Sequence, residues 1–421
     1  ILSQSSNIAI NLTMQARGLP IACVITCGNQ AQSSQAELAR ALLEDPRITA
    51  LGLHIEGFGD LRAWESLAED ARARKLPIVA LKSGRSSGAR AAALSHTASI
   101  AGSDAGAEAL LQRLGITRVS KLPVFLAALK IAHLYGRLPG TALGSISCSG
   151  GEAAVVADSA EGLDLRFPAL SDRQITALGR ALGPRVALAN PLDYHTYIWR
   201  DEAAMTAAWA AMADAELDLI LIILDYPRAD RGDPSDWDIA TRAAIAAARA
   251  TGARYAVCAT LPELLPEPTA ERLMAAGVLP LHGLDPGLEA IAATGRALPP
   301  AAAPLCLPGE GPRPRLATLD EATAKAELAA FGLPIPAGAR ATASNAPEEA
   351  ARLGFPVALK VLGLAHKTGA SGIALDLTHR ADVAQAVVSL ADGTLLVEAM
   401  VDGAVGELLV GVLRDEAHGY L

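Results

Sequence analysis

Aromatic side chains are scarce in this chain: Phe, Trp and Tyr make up 4% of its 421 residues. Sandwiches and barrels lean on aromatic and β-branched residues, so this scarcity, beside abundant Ala and Leu, points to a helix-rich α/β protein. A basic surplus is also missing. The net charge of −9 argues against a protein that tracks a nucleic-acid backbone, which needs a basic face. It leaves nucleotides open, because glycines, helix N-termini and a few cations suffice to hold them. The longest run of large aliphatic residues, Leu219 to Leu224, is far too short to span a bilayer, and no signal peptide is visible. No membrane partner is expected. Cysteines are few, scattered and odd in number. Only Cys23 and Cys27 are close, and no second pair completes a zinc site. Reduced thiols in a cytoplasmic protein are the simplest reading, with no metal ligands among these residues.

What is present is alternation. Apolar runs ending in small-residue turns alternate with helical patterns, which implies doubly wound parallel sheets. Leu76 to Leu81 reads as a buried strand and opens into KSGRSSGARAAALSHTASIAGSD, Lys82 to Asp104. That Gly/Ser-rich loop carries Lys82, Arg85, Arg90 and a single histidine, His96. Two readings fit the histidine. It is a solvated loop residue, or a nucleophile towards a phosphoryl group, since imidazole is largely neutral near pH 7. Earlier, Ser5 and Ser6 open a helix, either as plain N-caps or as an anion cradle. Leu19 to Thr26 reads as the second strand. The strand Ala50 to Gly57 ends on Glu56, which is a surface carboxylate or a group able to orient an imidazole ring. His54, one pleat earlier, is expected to point sideways or into packing and is not taken as a site residue.

A second unit repeats the pattern. The strand Leu143 to Ser147 leads into Ser149-Gly150-Gly151, a turn where glycine lets backbone N–H groups close on an anion. Asn190-Pro191-Leu192-Asp193 is either a standard turn or part of a site. His195, Tyr197 and Trp199 follow as candidate walls of an acid pocket. Residues 297–315 are rich in Ala, Pro and Gly and read as a semi-rigid linker. Beyond them come PVALK with Lys360, His366-Lys367-Thr368-Gly369, and LLVEAMV with Glu398.

These strings, taken together and in order, resemble the NDP-forming (ADP-forming) acyl-CoA synthetases, relatives of succinyl-CoA synthetase. The likeness rests on KSGRS…SHTASIAGSD, the Ser-rich turn at Ser5, NPLD, and GFPVALK with HKTGASGI. It implies two flavodoxin-like CoA-ligase domains, at residues 1–136 and 141–296, the linker, and the N-terminal part of an ATP-grasp domain at 316–421. It also implies a longer protein, of which this chain is a fragment lacking the CoA-binding domain before Ile1 and most of the ATP-grasp domain after Leu421. In the roles it suggests, His96 carries phosphate, Glu56 supports its ring, and His366 is a second phosphate carrier. Ser5, Ser6, Ser149, Gly150 and Gly151 bind phosphate, Asn190 and Asp193 contact substrate, and Lys360 and Glu398 hold ATP. Departures are specific. Ala98 and Ser6 stand where the family has glycine, and Thr368-Gly369 and Ser371 replace its usual HKSD and GG.

The implied reaction joins a carboxylic acid to CoA with ATP giving ADP and phosphate, with magnesium ligands expected beyond Leu421 and a homo-oligomeric assembly. Two other classes fit parts of the pattern. A regulatory acetyltransferase with a CoA-ligase-like body would lack the loop histidine, and a purely CoA- or nucleotide-sensing subunit would not retain both phosphate turns and the lysine. Acyl-CoA formation as one step of a lyase is a further variant.

Overall fold

The computed structural model describes residues 1–86, 88–89, 103–297, 303–307, 318–363, 372–390, 392–415 and 417–420. They form two compact units, Ile1–Pro308 with Val412–Leu421, and Gly309–Gly411.

The first unit holds two parallel five-stranded sheets. In one, β1 (Leu2–Ser3), β2 (Ile25–Thr26), β3 (Leu51–Ile55), β4 (Ile78–Lys82) and β5 (Thr117–Val119) lie in the order β2-β1-β3-β4-β5. In the other, β6 (Leu143–Ser147), β7 (Leu192–Asp193), β8 (Leu219–Ile223), β9 (Tyr255–Ala259) and β10 (Leu279–His282) lie in the order β10-β9-β8-β6-β7. Counted from its own first strand, each sheet reads 2-1-3-4-5, the flavodoxin order, with its topological switch between the first and third strands. The fold class is therefore α/β with two flavodoxin-like domains, as expected. All five positions of β3, β4, β6, β8 and β9 are buried. A parallel sheet covered on both faces favours largely apolar strands, and the polar exceptions His54, Lys82, Ser145 and Ser147 are buried with the rest.

The helix Leu122–Tyr135 explains why the two sheets share a core. Residues Val124 to Ala132 are buried without a break. A helix buried all round cannot lie on a surface, and this one packs on β4 and β3 on one side and on β10 and the helix Leu284–Gly295 on another. Its Phe125 and Leu129 sit over Gly52 of β3, where a Cβ would come within 2.8 Å of Leu129 Cδ1. Each such buried Leu, Ile or Phe contributes about 1.5–3 kcal/mol. Local signals set the remaining elements. Capping boxes start the helices Gln35–Leu42, at Ser34 and Glu37, and Asp172–Leu182, at Ser171 and Gln174. Gly115 and Gly252 close two others in the left-handed conformation.

The second unit has an antiparallel sheet, β11 (Gly338–Ala341), β12 (Val357–Val361), β13 (Ile373–Leu377) and β14 (Leu395–Ala399), in the order β11-β14-β12-β13. The helices Ala346–Leu353 and Arg380–Ser389 cover it over a small core that includes Val357, Leu359, Val383 and Val397.

Three expectations need correction. The strand expected over Leu19 to Thr26 is only Ile25–Thr26, because β2 is an edge strand whose partner β1 offers two residues to pair with. Residues 303–307 of the expected linker are not a free spacer. Leu305 N–H donates to Glu65 and its carbonyl accepts from Arg62, at 2.5 and 2.9 Å, while Leu305 and Leu307 pack on the core of the first sheet. The end of the expected ATP-grasp segment, Val412–Leu421, groups with the first unit, where His418 meets the Phe58 ring edge-on at 5.6 Å. Among the described residues no helix is long and apolar enough to cross a membrane.

Candidate functional site

The switch point of the first sheet gathers most of the expected residues. Ser5 caps the helix Ser6–Thr13, its hydroxyl accepting from Ile8 N–H at 3.5 Å. Ser6 is the first helical residue and is exposed. The turn is locked to the end of β3 by Gln4. Its Oε1 accepts from the N–H groups of Glu56 and Gly57 at 2.8 and 2.9 Å, and its Nε2 donates to Gly57 O at 2.8 Å. Gln35 continues the lock, donating to Leu2 O and His54 O at 3.1 and 3.0 Å. Glu56 is thus held through its main chain beside the Ser turn, and its carboxylate makes no hydrogen bond to a described residue. Behind it, Phe58 O accepts from the buried Trp64 indole at 2.7 Å, which fixes the turn after Glu56.

Lys82 is the first unexpected feature. The residue is 6% exposed, and its Nζ donates to Glu56 O at 3.0 Å and to Ser83 O, 5.9 Å from the Phe58 ring centroid. Burial, with Arg118 adding repulsion, lowers its pKa to about 8. Arg118 in turn donates to the Glu108 carboxylate at 2.9 Å and to Asp104, which fastens the far end of the loop to β5.

His54 is the second, and corrects the expectation that it merely packs. Its ring is buried and bridges neighbouring strands, Nδ1 lying 3.1 Å from Ser3 Oγ and Nε2 2.7 Å from Ser83 Oγ. Every position of β3 is interior, so a polar side chain there must find partners. Burial and the nearby Lys82 push its pKa down to about 4. Only the side-chain identities of Gln4, His54 and Lys82 at strand ends hinted at these roles. Their pairing is a matter of register between strands.

In the second sheet, Ser149 caps the helix Gly150–Ala160, accepting from Glu152 N–H at 3.2 Å. Ser149, Gly150 and Gly151 are exposed. Asp193 stands beside this turn, with Oδ2 3.4 Å from where a Cβ at Gly150 would lie, and its Oδ1 accepts from His195 N–H at 2.7 Å. The structure brings Asp193 and the glycine turn together. Asn190 serves the sheet instead. Its amide donates to Leu143 O and Pro168 O at 2.8 and 2.9 Å and accepts from Ser145 N–H at 3.0 Å. All its polar capacity towards β6 is spent on backbone, so it braces β6. Cys148 donates towards Glu152 at 3.4 Å, and burial with that carboxylate lifts its pKa to about 12, leaving an unreactive thiol. The His195 and Tyr197 rings lie 5.5 Å apart, and Trp199 stacks edge-on against Trp237 at 5.5 Å.

In the second unit, Lys360 Nζ donates to Glu398 Oε2 and Glu321 Oε1, both at 2.8 Å, and Lys325 also pairs with Glu398. Burial alone would lower the Lys360 pKa, but the hydrogen bonds it donates to the two carboxylates outweigh this and raise it. The two expected ATP contacts are therefore direct neighbours across β12 and β14, where Ala358 pairs with Glu398. His96 and His366 lie outside the described residues. Among the described residues no group of three or more His, Cys, Asp or Glu could hold a metal ion.

Comparison with known proteins places these features. Residues 1–132 match the family model of the succinyl-CoA ligase like flavodoxin domain, and residues 313–421 that of the ATP-grasp domain. An acetate–CoA ligase [ADP-forming] of Methanocaldococcus jannaschii is 32% identical over 173 residues, 40% of this chain and 24% of that protein. The alpha subunit of an acetate–CoA ligase [ADP-forming] II of Pyrococcus furiosus is 29% identical over 203 residues, 48% of this chain and 44% of the subunit. The matched segments thus span less than half of these relatives. A solved acetyl-coenzyme A synthetase of Ca. Korarchaeum cryptofilum, in complex with phosphate and ADP, shares the fold. Its TM-score is 0.58 at 21% identity, over 70% of this chain and 63% of that one.

Proposed function

We propose that this chain belongs to an ADP-forming acid–CoA ligase working through a phosphohistidine, a reading supported by the match of residues 1–132 to the succinyl-CoA ligase like flavodoxin domain and of residues 313–421 to the ATP-grasp domain. The observation that carries this reading is the switch point of the first sheet. There Gln4 ties Glu56 to the Ser5-capped helix, at the strand ends from which the His96 loop departs.

In the direction of ATP synthesis, phosphate displaces CoA from the acyl-CoA, giving acyl phosphate and free thiol. An imidazole nitrogen of His96 then attacks phosphorus, the P–O bond to the acyl group breaks, and the carboxylate leaves. Glu56 orients the ring and favours its cationic, phosphorylated form. The N-terminal turns at Ser5–Ser6 and Ser149–Gly151 offer N–H groups and helix dipoles to phosphate oxygens, and Asp193 lies next to the second turn. An oxygen of the ADP β-phosphate finally takes the phosphoryl group and frees the histidine. Lys360 meets nucleotide phosphates as a point charge, exchanging its carboxylate partners for them, and His366 is a second carrier. Dividing the exchange keeps the reactive acyl phosphate from water. The protein is cytoplasmic and homo-oligomeric in this reading, with CoA and a carboxylic acid as its other substrates and magnesium as the companion of the nucleotide.

The test is incubation of the complete protein with γ-labelled ATP and magnesium, followed by peptide mapping of acid-labile phosphate. Label on His96 that His96→Ala abolishes supports the ligase, whereas a protein that binds ATP and takes no label is a sensor.

A further inference from the structure

Three side chains and one carbonyl at the ends of β1, β3 and β4 form a continuous chain of hydrogen bonds. The Ser3 hydroxyl donates to Ser5 O at 2.7 Å, and Ser5 O also accepts from Ala9 N–H at 3.1 Å, closing the first turn of the helix Ser6–Thr13. With its hydrogen committed, Ser3 Oγ can only accept, from Ser5 N–H and from His54 Nδ1, each at 3.1 Å. The neutral imidazole therefore carries its proton on Nδ1, and bare Nε2 takes the Ser83 hydroxyl hydrogen at 2.7 Å. Direction runs one way throughout, from Ser83 to His54, to Ser3, to the carbonyl of Ser5.

We infer that His54 is a positioning residue that couples the Ser5 turn to Ser83, the residue at which the chain leaves β4 towards the His96 loop. The inference rests on the phosphohistidine reading and deepens it. Three observations separate this role from simple packing. The strand is otherwise Leu, Gly and Ile, and an apolar residue would fill the interior without the cost of burying a polar ring. The chain ends not in the core but at half-buried Ser83 and Ser5, both on the ligand edge of the sheet. Lys82 lies close enough to disfavour a second positive charge on the ring, which keeps the neutral tautomer that the direction requires. The Ser83 N–H also donates to Ile55 O at 2.9 Å, so the anchor of the loop is tied by main chain and side chain to β3 and, through His54 and Ser3, to the first turn of the helix.

The experiment measures single-turnover labelling of the His96 peptide by γ-labelled ATP in the complete protein. His54→Phe and Ser83→Ala should each slow the labelling rate constant ~10-fold or more with the half-saturating ATP concentration unchanged, the signature of an interaction used in the transition state. The double variant should be no slower than either single one, since both break the same chain. His54→Gln, whose Oε1 can accept from Ser83, should recover most of the rate. A purely structural role would lower the labelled fraction and the melting temperature but leave the rate constant of the folded fraction alone. Unchanged rate constants in His54→Phe and Ser83→Ala, or losses that multiply in the double variant, overturn the inference while the ligase reading stands. A wild-type protein that takes no label overturns both.

Discussion

Replacing Lys82 by methionine should stabilise the first unit while damaging the proposed chemistry. The ammonium is buried, and among the described residues it donates to two carbonyl oxygens beside an aromatic face. Its pKa of about 8, against an ordinary 10.5, means that near neutral pH the fold holds a charge it disfavours by roughly 3 kcal/mol. Met fills the same space, and losing two hydrogen bonds to carbonyls returns about 1–2 kcal/mol of that gain. The net expectation is a rise of about 1–2 kcal/mol in unfolding free energy at pH 7. The pH dependence is more telling. Because the folded pKa lies below the unfolded one, the unfolded chain binds more protons between about pH 8 and 10.5. Wild-type stability therefore climbs through that window, and Lys82 supplies about 2 kcal/mol of the climb between about pH 7 and 9.5. Urea unfolding of wild type and Lys82→Met at both pH values isolates this part, since Lys130 and the tyrosines titrate alike in the two proteins. Equal pH slopes would refute the buried-charge argument, and a variant that labels His96 as fast as wild type would refute its link to the site.

Other expectations follow from single contacts. Gly295→Ala places a Cβ 2.4 Å from Gly140 O, a backbone atom that cannot swing aside, so melting should fall by an amount equivalent to about 1–3 kcal/mol. Lys360→Met leaves Glu398 with Lys325 as its remaining cation and removes the phosphate contact. Calorimetric titration should then show ATP binding weakened about 10- to 100-fold, from a charged hydrogen bond of about 1.5–3 kcal/mol. His54 should remain neutral, with its proton on Nδ1, down to about pH 4. Its lowered pKa makes it a source of stability that declines as pH falls from about 6.5 to 4. Nitrogen-15 shifts of the ring at about pH 6 read the tautomer directly, and an Nε2–H form would contradict the hydrogen-bond direction argued above.

The sequence by itself determined the architecture and offered candidate positions for chemistry. A continuous apolar run such as Leu76–Leu81, short and bounded by turn residues, reads as a buried strand, and the small-residue turns after Ser3 and Ser147 read as helix starts at a sheet edge. Both signals are local, so they are legible without neighbours. Glu56, Ser5, Ser149 and Lys360 could be picked out because each stands at the end of such an element. Tertiary structure decided which of these residues meet. Ser3 lies opposite His54, and His54 opposite Leu81, through parallel register between strands about fifty and thirty residues apart in the chain. That register turned a histidine that looked like filler into a bridge, and placed the Lys82 ammonium under Glu56 instead of in the loop. Asn190 shows the reverse. A segment with the look of a substrate contact became a backbone brace once Leu143, Ser145 and Pro168 were folded around it. Side-chain identity marks which groups can bond, but a buried polar group takes the partner that close packing brings within reach, and that partner is chosen by the whole fold.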